Sequence, residues 1–354
     1  MGRRRRQRTE GRGEAQAQGP RGMMRLPWFE HRAPKSVQEA ARILAGEGPD
    51  AMLIAGGTDL LPNMKRRQMA PKILVSLRNI QEIKRNGSAL GAGTTLTEIV
   101  NQKQLPLGLR QAAHQVATVH LRNMGTIGGN LCIDTRCNYY NQNYEWRKAI
   151  DFCLKKDGDI CWVATASKRC VAASSTDCAP ALMALGAAVT LVSSRDERTL
   201  SLEDLYNNDG IDYLKRRPDE ILTEVSIPSG WKSTYWKLRR RGAFDFPVLG
   251  VGAAIRFSDD TVEEARVALG AVASRPFLVE KANQFLKGKK LTDEVIEEAA
   301  RLVASRAKPM DNADLDLYWR KDVSAQFAAY ALRELRGDDM RDARLRTARH
   351  VLAD

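Results

Sequence analysis

TIGGNLCIDTRC, residues 126–137, places a hydroxyl, paired glycines and an amide side chain directly before two cysteines five positions apart. A turn of this kind lets backbone amides approach an anionic group with no Cβ in the way. IAGGTD, residues 54–59, offers the same chemistry some 70 residues earlier, immediately after a short apolar run that reads as a strand. Neither stretch matches the GxGxxG fingerprint or a Walker A loop with its lysine, and alone either could be a tight turn. Together they make sense as two jaws on opposite sides of one pyrophosphate, whose charge can engage several N–H donors.

The cysteines point to a second cofactor. All six, Cys132, Cys137, Cys153, Cys161, Cys170 and Cys178, fall in one stretch of a 354-residue chain, at intervals of 5, 16, 8, 9 and 8. With no secretory signal in the sequence, a reducing compartment and metal or cluster ligation are expected over a disulfide framework. No Cys-x-x-Cys pair occurs, which disfavours structural zinc. Four thiolates wrapped around an iron-sulfur cluster fit the wide intervals better. Cys132, just behind the glycine loop, and Cys178, at a helix start, read as small buried hydrophobes. LKKDGDICW and KRC set the middle thiols among basic residues, where thiolates are stabilised.

Composition bounds the rest. The chain is 43% hydrophobic and 28% charged, enough for two or three packed units, and no apolar run is long enough to span a bilayer. A soluble, cytoplasmic protein is expected, without a membrane partner. The net charge is +13, of which the first 22 residues supply +5 through seven Arg and two Glu. That head has no apolar core and reads as disordered, with the biological start expected at Met23 or Met24. No aromatic-plus-basic motif supports a nucleic-acid partner.

Periodicity predicts a helix over 36–48, strands at 51–54 and 72–77, a turn at Asn86-Gly87, a further strand and a helix from Thr95. Residues 109–117 read as a helix and RNMGTIGGN as a loop. Residues 131–176 lack periodicity and are too long for an ordinary connection. A helix from 178 passes through Gly186 into a strand, and another strand ends at Pro228. Beyond a boundary near 230 come three strands and three helices, then a charged, loosely held tail after 338. The expected organisation is a disordered head over 1–23, a cofactor-binding unit over 24–230 carrying an insertion at 131–176, a second domain over 231–338, and a tail over 339–354.

AGGTD (55–59), TIGGN (126–130), TDCAPALMALGA (176–187) and YWKLRRRGAFDFP (235–247) resemble the flavin-binding subunit of the molybdenum hydroxylases, the xanthine dehydrogenase and carbon monoxide dehydrogenase family. The likeness covers residues 24–335. Within the family, the insertion from Cys137 to Cys170, with NYYNQNYEWR, FCLKKDGDIC and KRC, resembles the beta subunit of 4-hydroxybenzoyl-CoA reductase. The resemblance implies an α+β fold of the p-cresol methylhydroxylase type, two subdomains with FAD between them, beside a small C-terminal α+β domain. It implies that Ala55, Gly56, Gly57, Thr58 and Asp59 hold the pyrophosphate from one side and Thr126, Gly128, Gly129 and Asn130 from the other. By the same likeness Asp177, Ile221 and Lys237 border the cofactor, and Cys137, Cys153, Cys161 and Cys170 ligate a 4Fe-4S cluster. The basic head has no counterpart in the family pattern.

The function this implies is that of an electron carrier rather than a site of substrate chemistry. The family places molybdopterin and substrate on a large subunit and two 2Fe-2S clusters on a small one, and neither set of motifs is present in this sequence. The reaction expected is reductive removal of an aromatic hydroxyl from an aryl-CoA thioester, with a ferredoxin as donor. Lys148, Lys155, Lys156, Lys168 and Arg169 would steer an acidic donor to the insertion. An oxidative hydroxylase of another aromatic or N-heterocycle is the alternative within the class. A self-contained flavin oxidase and a zinc-bearing nucleic-acid binder are the rivals outside it.

Overall fold

The computed structural model describes residues 25–84, 89–242, 244–348 and 352. The head over 1–23 and the Asn86-Gly87 turn lie outside the described residues.

The chain opens with a short strand that periodicity does not reveal, β1 (Glu30–Arg32). Helix α1 (Val37–Glu47) follows, capped by Ser36, whose side chain accepts from Glu39 N, and buries Val37, Ala40, Ala41 and Leu44 on one face. β2 (Ala51–Ile54), α2 (Leu60–Lys65) and β3 (Ile73–Ser76) complete a parallel sheet of order β1-β3-β2. Its core of Leu44, Val75, Ile80 and Ile83 is continuous with Val192 and Ile221 of the next sheet.

The second subdomain starts at β4 (Leu90–Gly91). Next come α3 (Leu96–Asn101), with a full capping box between Thr95 and Glu98, and α4 (Leu107–His114). RNMGTIGGN is not the plain loop expected: α5 (Val119–Arg122) and α6 (Ile127–Leu131) flank it, because Thr126 caps α6 by accepting from Gly129 N. The insertion contributes α7 (Tyr144–Ala149). α8 (Cys178–Ala184) then leads into β5 (Ala188–Val192), β6 (Glu197–Ser201) and β7 (Ile221–Ser226), in an antiparallel sheet of order β4-β7-β5-β6.

The C-terminal unit is an antiparallel sheet of order β11-β10-β9-β8, built from β8 (Lys232–Leu238), β9 (Leu249–Ser258), β10 (Thr261–Gly270) and β11 (Phe277–Leu278). Helices α9 (Glu280–Leu286), α10 (Asp293–Arg306) and α11 (Leu317–Arg336) pack with it around Trp236, Val251, Leu332 and Phe327. The tail is held more firmly than its charge implies. In α12 (Arg341–Thr347) the buried Arg344 pairs with Glu334 and lies 4.2 Å over the Trp236 ring. Among the described residues no helix is long and apolar enough to cross a membrane.

β8 docks the two halves together through α4. Gly108 N donates to Ser233 Oγ (3.1 Å), while Tyr235 N and Thr234 Oγ1 both donate to Gln111 Oε1 at 2.9 Å.

Candidate cofactor-binding site

The two glycine loops meet. Gly56 follows β2 and lies directly beneath the backbone of Met124 and Gly125, so that a Cβ there would come within 2.6 Å of the Met124 carbonyl carbon. Gly57 takes φ +70°, the left-handed region that glycine enters without strain. Among the described residues no acceptor meets the amides of Gly56, Gly57 or Thr58. These are the donors an anion would need. Asp59 closes the loop: its carboxylate accepts from Asn63 Nδ2 (3.0 Å) and pairs with Arg136.

The second loop is pinned from behind. Ile127 N donates to Thr94 O and Gly128 N to Ala92 O, both at 2.9 Å, and Leu96 N donates to Gly125 O at 2.9 Å. Gly128 therefore presses its Cα face on Ala92, where a Cβ would stand 2.8 Å from the alanine methyl. Gly129 faces Ala55 across the gap. Asn130 turns inward. Its Oδ1 accepts from Thr176 Oγ1 (2.7 Å) and Cys178 N (3.1 Å), tying α6 to the start of α8.

Asp177 precedes α8 and is fully buried with Lys237. Oδ1 accepts from Tyr235 OH (2.8 Å), Oδ2 from Lys237 Nζ (3.0 Å), and Lys237 also donates to Gln115 O (2.9 Å). Burial pushes the Asp177 carboxyl up and brings the Lys237 amine down to about 8, with each partner partly opposing the shift of the other. Ile221, at the start of β7, is wholly buried in the core shared with Ala55 and Leu53, so it is floor rather than wall. The glycine loops are thus brought together, Asn130 holds Thr176 and Cys178 on either side of Asp177, and Asp177 holds Lys237.

The insertion leaves and rejoins this scaffold through a clamped neck. Arg136 N donates to Ala173 O (2.8 Å) and Ala173 N to Arg136 O (2.7 Å). Beyond the neck, Cys137, Cys153 and Cys170 pack together with Tyr140 and Ala172 in a small buried core. Cys161 is also buried and lies within electrostatic range of Cys170. All four are free thiols. Desolvation, aggravated by the neighbouring thiols, pushes Cys137 up to about 12 and Cys170 to about 11, although the Ala172 amide and Lys155 draw Cys170 back. Around Cys153 the backbone is strained: Asp151, Phe152 and Asp157 take φ of 58°, 58° and 66°.

Among the described residues no three His, Cys, Asp or Glu side chains come close enough to hold a single metal ion. A tetrahedral zinc site needs its thiolates gathered at about 2.3 Å from one ion, whereas a cluster separates its ligands further. Among the described residues the four thiols are not gathered for a single ion. Cys132 and Cys178 stand apart: Cys178 is buried in the core of the second subdomain, while Cys132, expected to be buried, is half-buried against it.

Spacing gave no hint of several neighbours. Arg136 joins Asp59 to the insertion and lies 4.3 Å from the Phe246 ring centre. Lys155 does not face an approaching partner as expected. Its side chain is 6% exposed and donates to Asp134 Oδ1 and Thr135 Oγ1 at 2.7 Å and to Gly210 O, which leaves Lys148, Lys168 and Arg169 exposed and Lys156 half-buried beside Asp157. Its KKD context reads as surface because sequence carries no sign of the buried Asp134 that draws it in.

Residues 28–230 match the family described as the FAD binding domain in molybdopterin dehydrogenase, and residues 233–335 match the CO dehydrogenase flavoprotein C-terminal domain. The chain belongs to this family. It is an FAD-binding medium subunit of the molybdenum hydroxylase type, an oxidoreductase subunit with the α+β fold expected for it. Carbon monoxide dehydrogenase medium chain from Hydrogenophaga pseudoflava is 28% identical over 319 residues, covering 86% of this chain and 96% of that one. Nicotinate dehydrogenase FAD-subunit from Eubacterium barkeri is 29% identical, covering 83% and 91%. Among solved structures, the H. pseudoflava carbon monoxide dehydrogenase lacking the Mo-pyranopterin moiety superposes with a TM-score of 0.71 at 27% identity, covering 88% of this chain and 98% of that one.

Proposed function

We propose that this subunit carries FAD between its glycine loops and a 4Fe-4S cluster on Cys137, Cys153, Cys161 and Cys170. In this reading it passes electrons to a molybdopterin-containing large subunit by way of a small subunit with two 2Fe-2S clusters. The reaction served is the reductive dehydroxylation of 4-hydroxybenzoyl-CoA in the cytoplasm, with a ferredoxin-type donor. The observation that carries the proposal is one small core holding three buried free thiols from an aperiodic stretch, with a fourth, Cys161, within electrostatic range of Cys170.

FAD, when bound, joins one-electron and two-electron carriers. The chain's own residues do the holding. The amides of Gly56, Gly57 and Thr58 face one side of the diphosphate, and α6, opened by Thr126 and the Gly128-Gly129 pair, faces the other. Asn130 acts from behind, fixing α6 to α8, and Asp177 and Lys237 brace β8 below. Arg136 neutralises Asp59, so the first loop does not repel the diphosphate. Arg147 Nη2 donates to Arg66 O (3.0 Å) and Arg67 O (3.2 Å), which docks the cysteine insertion on the end of α2. This ties the insertion to the segment that follows the first glycine loop.

Lys148, Lys168 and Arg169 remain a docking surface for an acidic donor; reduction by ferredoxin should then slow as ionic strength rises. A second reading, an oxidative hydroxylase of an aromatic or N-heterocycle, is favoured by the likeness to the nicotinate dehydrogenase FAD-subunit. Anaerobic purification with the partner subunits, followed by iron, sulfide and flavin assays, tests the cofactor set. Folded complex devoid of iron and sulfide would end it. Turnover with reduced ferredoxin and 4-hydroxybenzoyl-CoA, against turnover with an N-heterocycle and an oxidised acceptor, separates the two readings.

A further inference from the structure

The cysteine pocket holds polar groups that nothing in the described protein satisfies. Arg147, in α7, is 1% exposed. Its Nη2 is spent on the carbonyls of Arg66 and Arg67, and its Cζ lies 5.9 Å from the Tyr144 ring centre, but Nε has no hydrogen-bond partner and Nη1 has none either, standing 3.9 Å from the Asp157 carboxylate. The guanidinium lies within electrostatic reach of Cys153 and Tyr140. Asn141 is similar. Its Oδ1 accepts from Cys137 N at 2.9 Å, and its Nδ2 is buried without a partner. Orphaned buried donors are costly, and three of them on two residues around one thiol pocket imply acceptors that arrive with its ligand.

Lys155 supplies the contrast. It stands near Cys170, but Asp134, Thr135 and Gly210 take up its three N–H donors, so only its charge acts on the sulfurs.

We propose that Arg147 and Asn141 are positioning residues that set the electron affinity of the four-thiol site, Arg147 as a buried cation and both as N–H donors to sulfur. This rests on the cluster reading of the four thiols. Taking up an electron adds negative charge to an already anionic group, and hydrogen bonds to the sulfurs are among the levers on its potential. A charge-assisted donor strengthens as that charge grows.

The test is an electron paramagnetic resonance redox titration of the complete complex, wild type against Arg147→Met, Arg147→Lys and Asn141→Asp, with iron, sulfide and FAD measured on each. Asn141→Asp keeps the oxygen that accepts from Cys137 N and replaces the donor with an anion. Arg147→Met and Asn141→Asp should each shift the one-electron equilibrium roughly tenfold toward the oxidised form, about 59 mV. Arg147→Lys should recover most of that shift. An Asn141→Asp complex that keeps FAD and loses iron is the extreme of the same repulsion and supports the assignment, and it stands as the test where Arg147→Met does not fold. Iron-replete variants that titrate at the wild-type potential would overturn it while leaving the cluster reading intact. Wild-type complex without iron and sulfide would overturn both.

Discussion

Gly56→Ala is the sharpest probe of the loop geometry. Gly56 does not have the positive φ of Gly57, so the alanine backbone is admissible and space is the only obstacle. The new methyl would overlap the Met124 carbonyl oxygen, its nearest neighbour, and lie 2.6 Å from that carbonyl's carbon and 3.0 Å from Gly125 Cα, all backbone atoms that cannot rotate away. Favourable carbon contacts begin near 3.5 Å, so the strand end and the second loop must part by about 1 Å. Overpacking of this kind costs about 1–3 kcal/mol. Parting the loops relieves it, but a diphosphate that needs both loops at once must draw them together again and restore the strain. At 1.4 kcal/mol per tenfold, FAD affinity should fall by about 5- to 150-fold. Flavin fluorescence titration of the apoprotein reads this directly, with circular dichroism to confirm folding. Gly46→Ala is the control: it lies inside α1 with nothing within 4 Å of its Cβ position, and should add up to about 1 kcal/mol of stability without touching affinity. Gly56→Ala protein that binds FAD as tightly as wild type would refute the geometry.

The same contacts carry other expectations. Cys153→Ser should lose iron and keep FAD, whereas Cys132→Ser and Cys178→Ser should keep both; the serine at the fully buried Cys178 should cost about 1–3 kcal/mol, read by thermal melts with iron assays. Lys237→Met leaves the buried Asp177 carboxylate without its cation and should destabilise the fold by about 3–5 kcal/mol. Because the Lys237 pKa drops from 10.5 to about 8 on folding, the unfolded chain takes up more protons between those values, and the wild-type contribution grows as pH rises through them. Urea melts across that window should show the gap between wild type and Lys237→Met widening as pH rises, and a constant gap would contradict the assignment.

Local signals in the sequence were strong where a cap or a period fixes them. Ser36 and Thr95 announce α1 and α3, and the stop at Gly48 agrees with α1 ending at Glu47. β1 and β6 escaped because three exposed or half-buried residues, and a strand reading ERTLS, show no apolar face of their own; each is held by pairing with a buried neighbour. The glycine loops were legible as chemistry but not as partners, since nothing in AGGTD says that Met124 lies above it. Asn130 shows the limit most clearly. Its place in TIGGN suggests a ligand contact, yet its oxygen is committed to Thr176 and Cys178, so its effect on the loop is indirect. Arg147 and Lys155 looked like solvated charge because burial of a cation depends on which distant carbonyls and carboxylates surround it.

The neck at Arg136 and Ala173 explains how the cysteine excursion can be housed without disturbing the flavin loops, and excising that excursion tests the separation. The reciprocal pair of hydrogen bonds holds the two ends of the excursion together, so the path from Asn130 to Asp177 can be closed at Arg136 and Ala173. An Asn-Gly turn suits such an antiparallel pair, so residues 137–172 can be replaced by those two residues. The excision removes the bonds from Arg147 to the end of α2, from Gln68 to Tyr140, and those that tie Asn138, Arg169, Cys170 and Val171 to Asn208, Gly210, Ser274 and Asn312, each worth about 1 kcal/mol. It also strips Lys155 from the buried Asp134, an uncompensated charge worth about 3–5 kcal/mol, which Asp134→Asn in the same chain avoids. The shortened chain should bind no iron and hold FAD within about threefold of wild type, a difference of less than 1 kcal/mol. If it folds, by circular dichroism, and yet fails to bind FAD, the insertion shapes the flavin loops themselves. The separation of the two sites inferred from the neck would then be wrong.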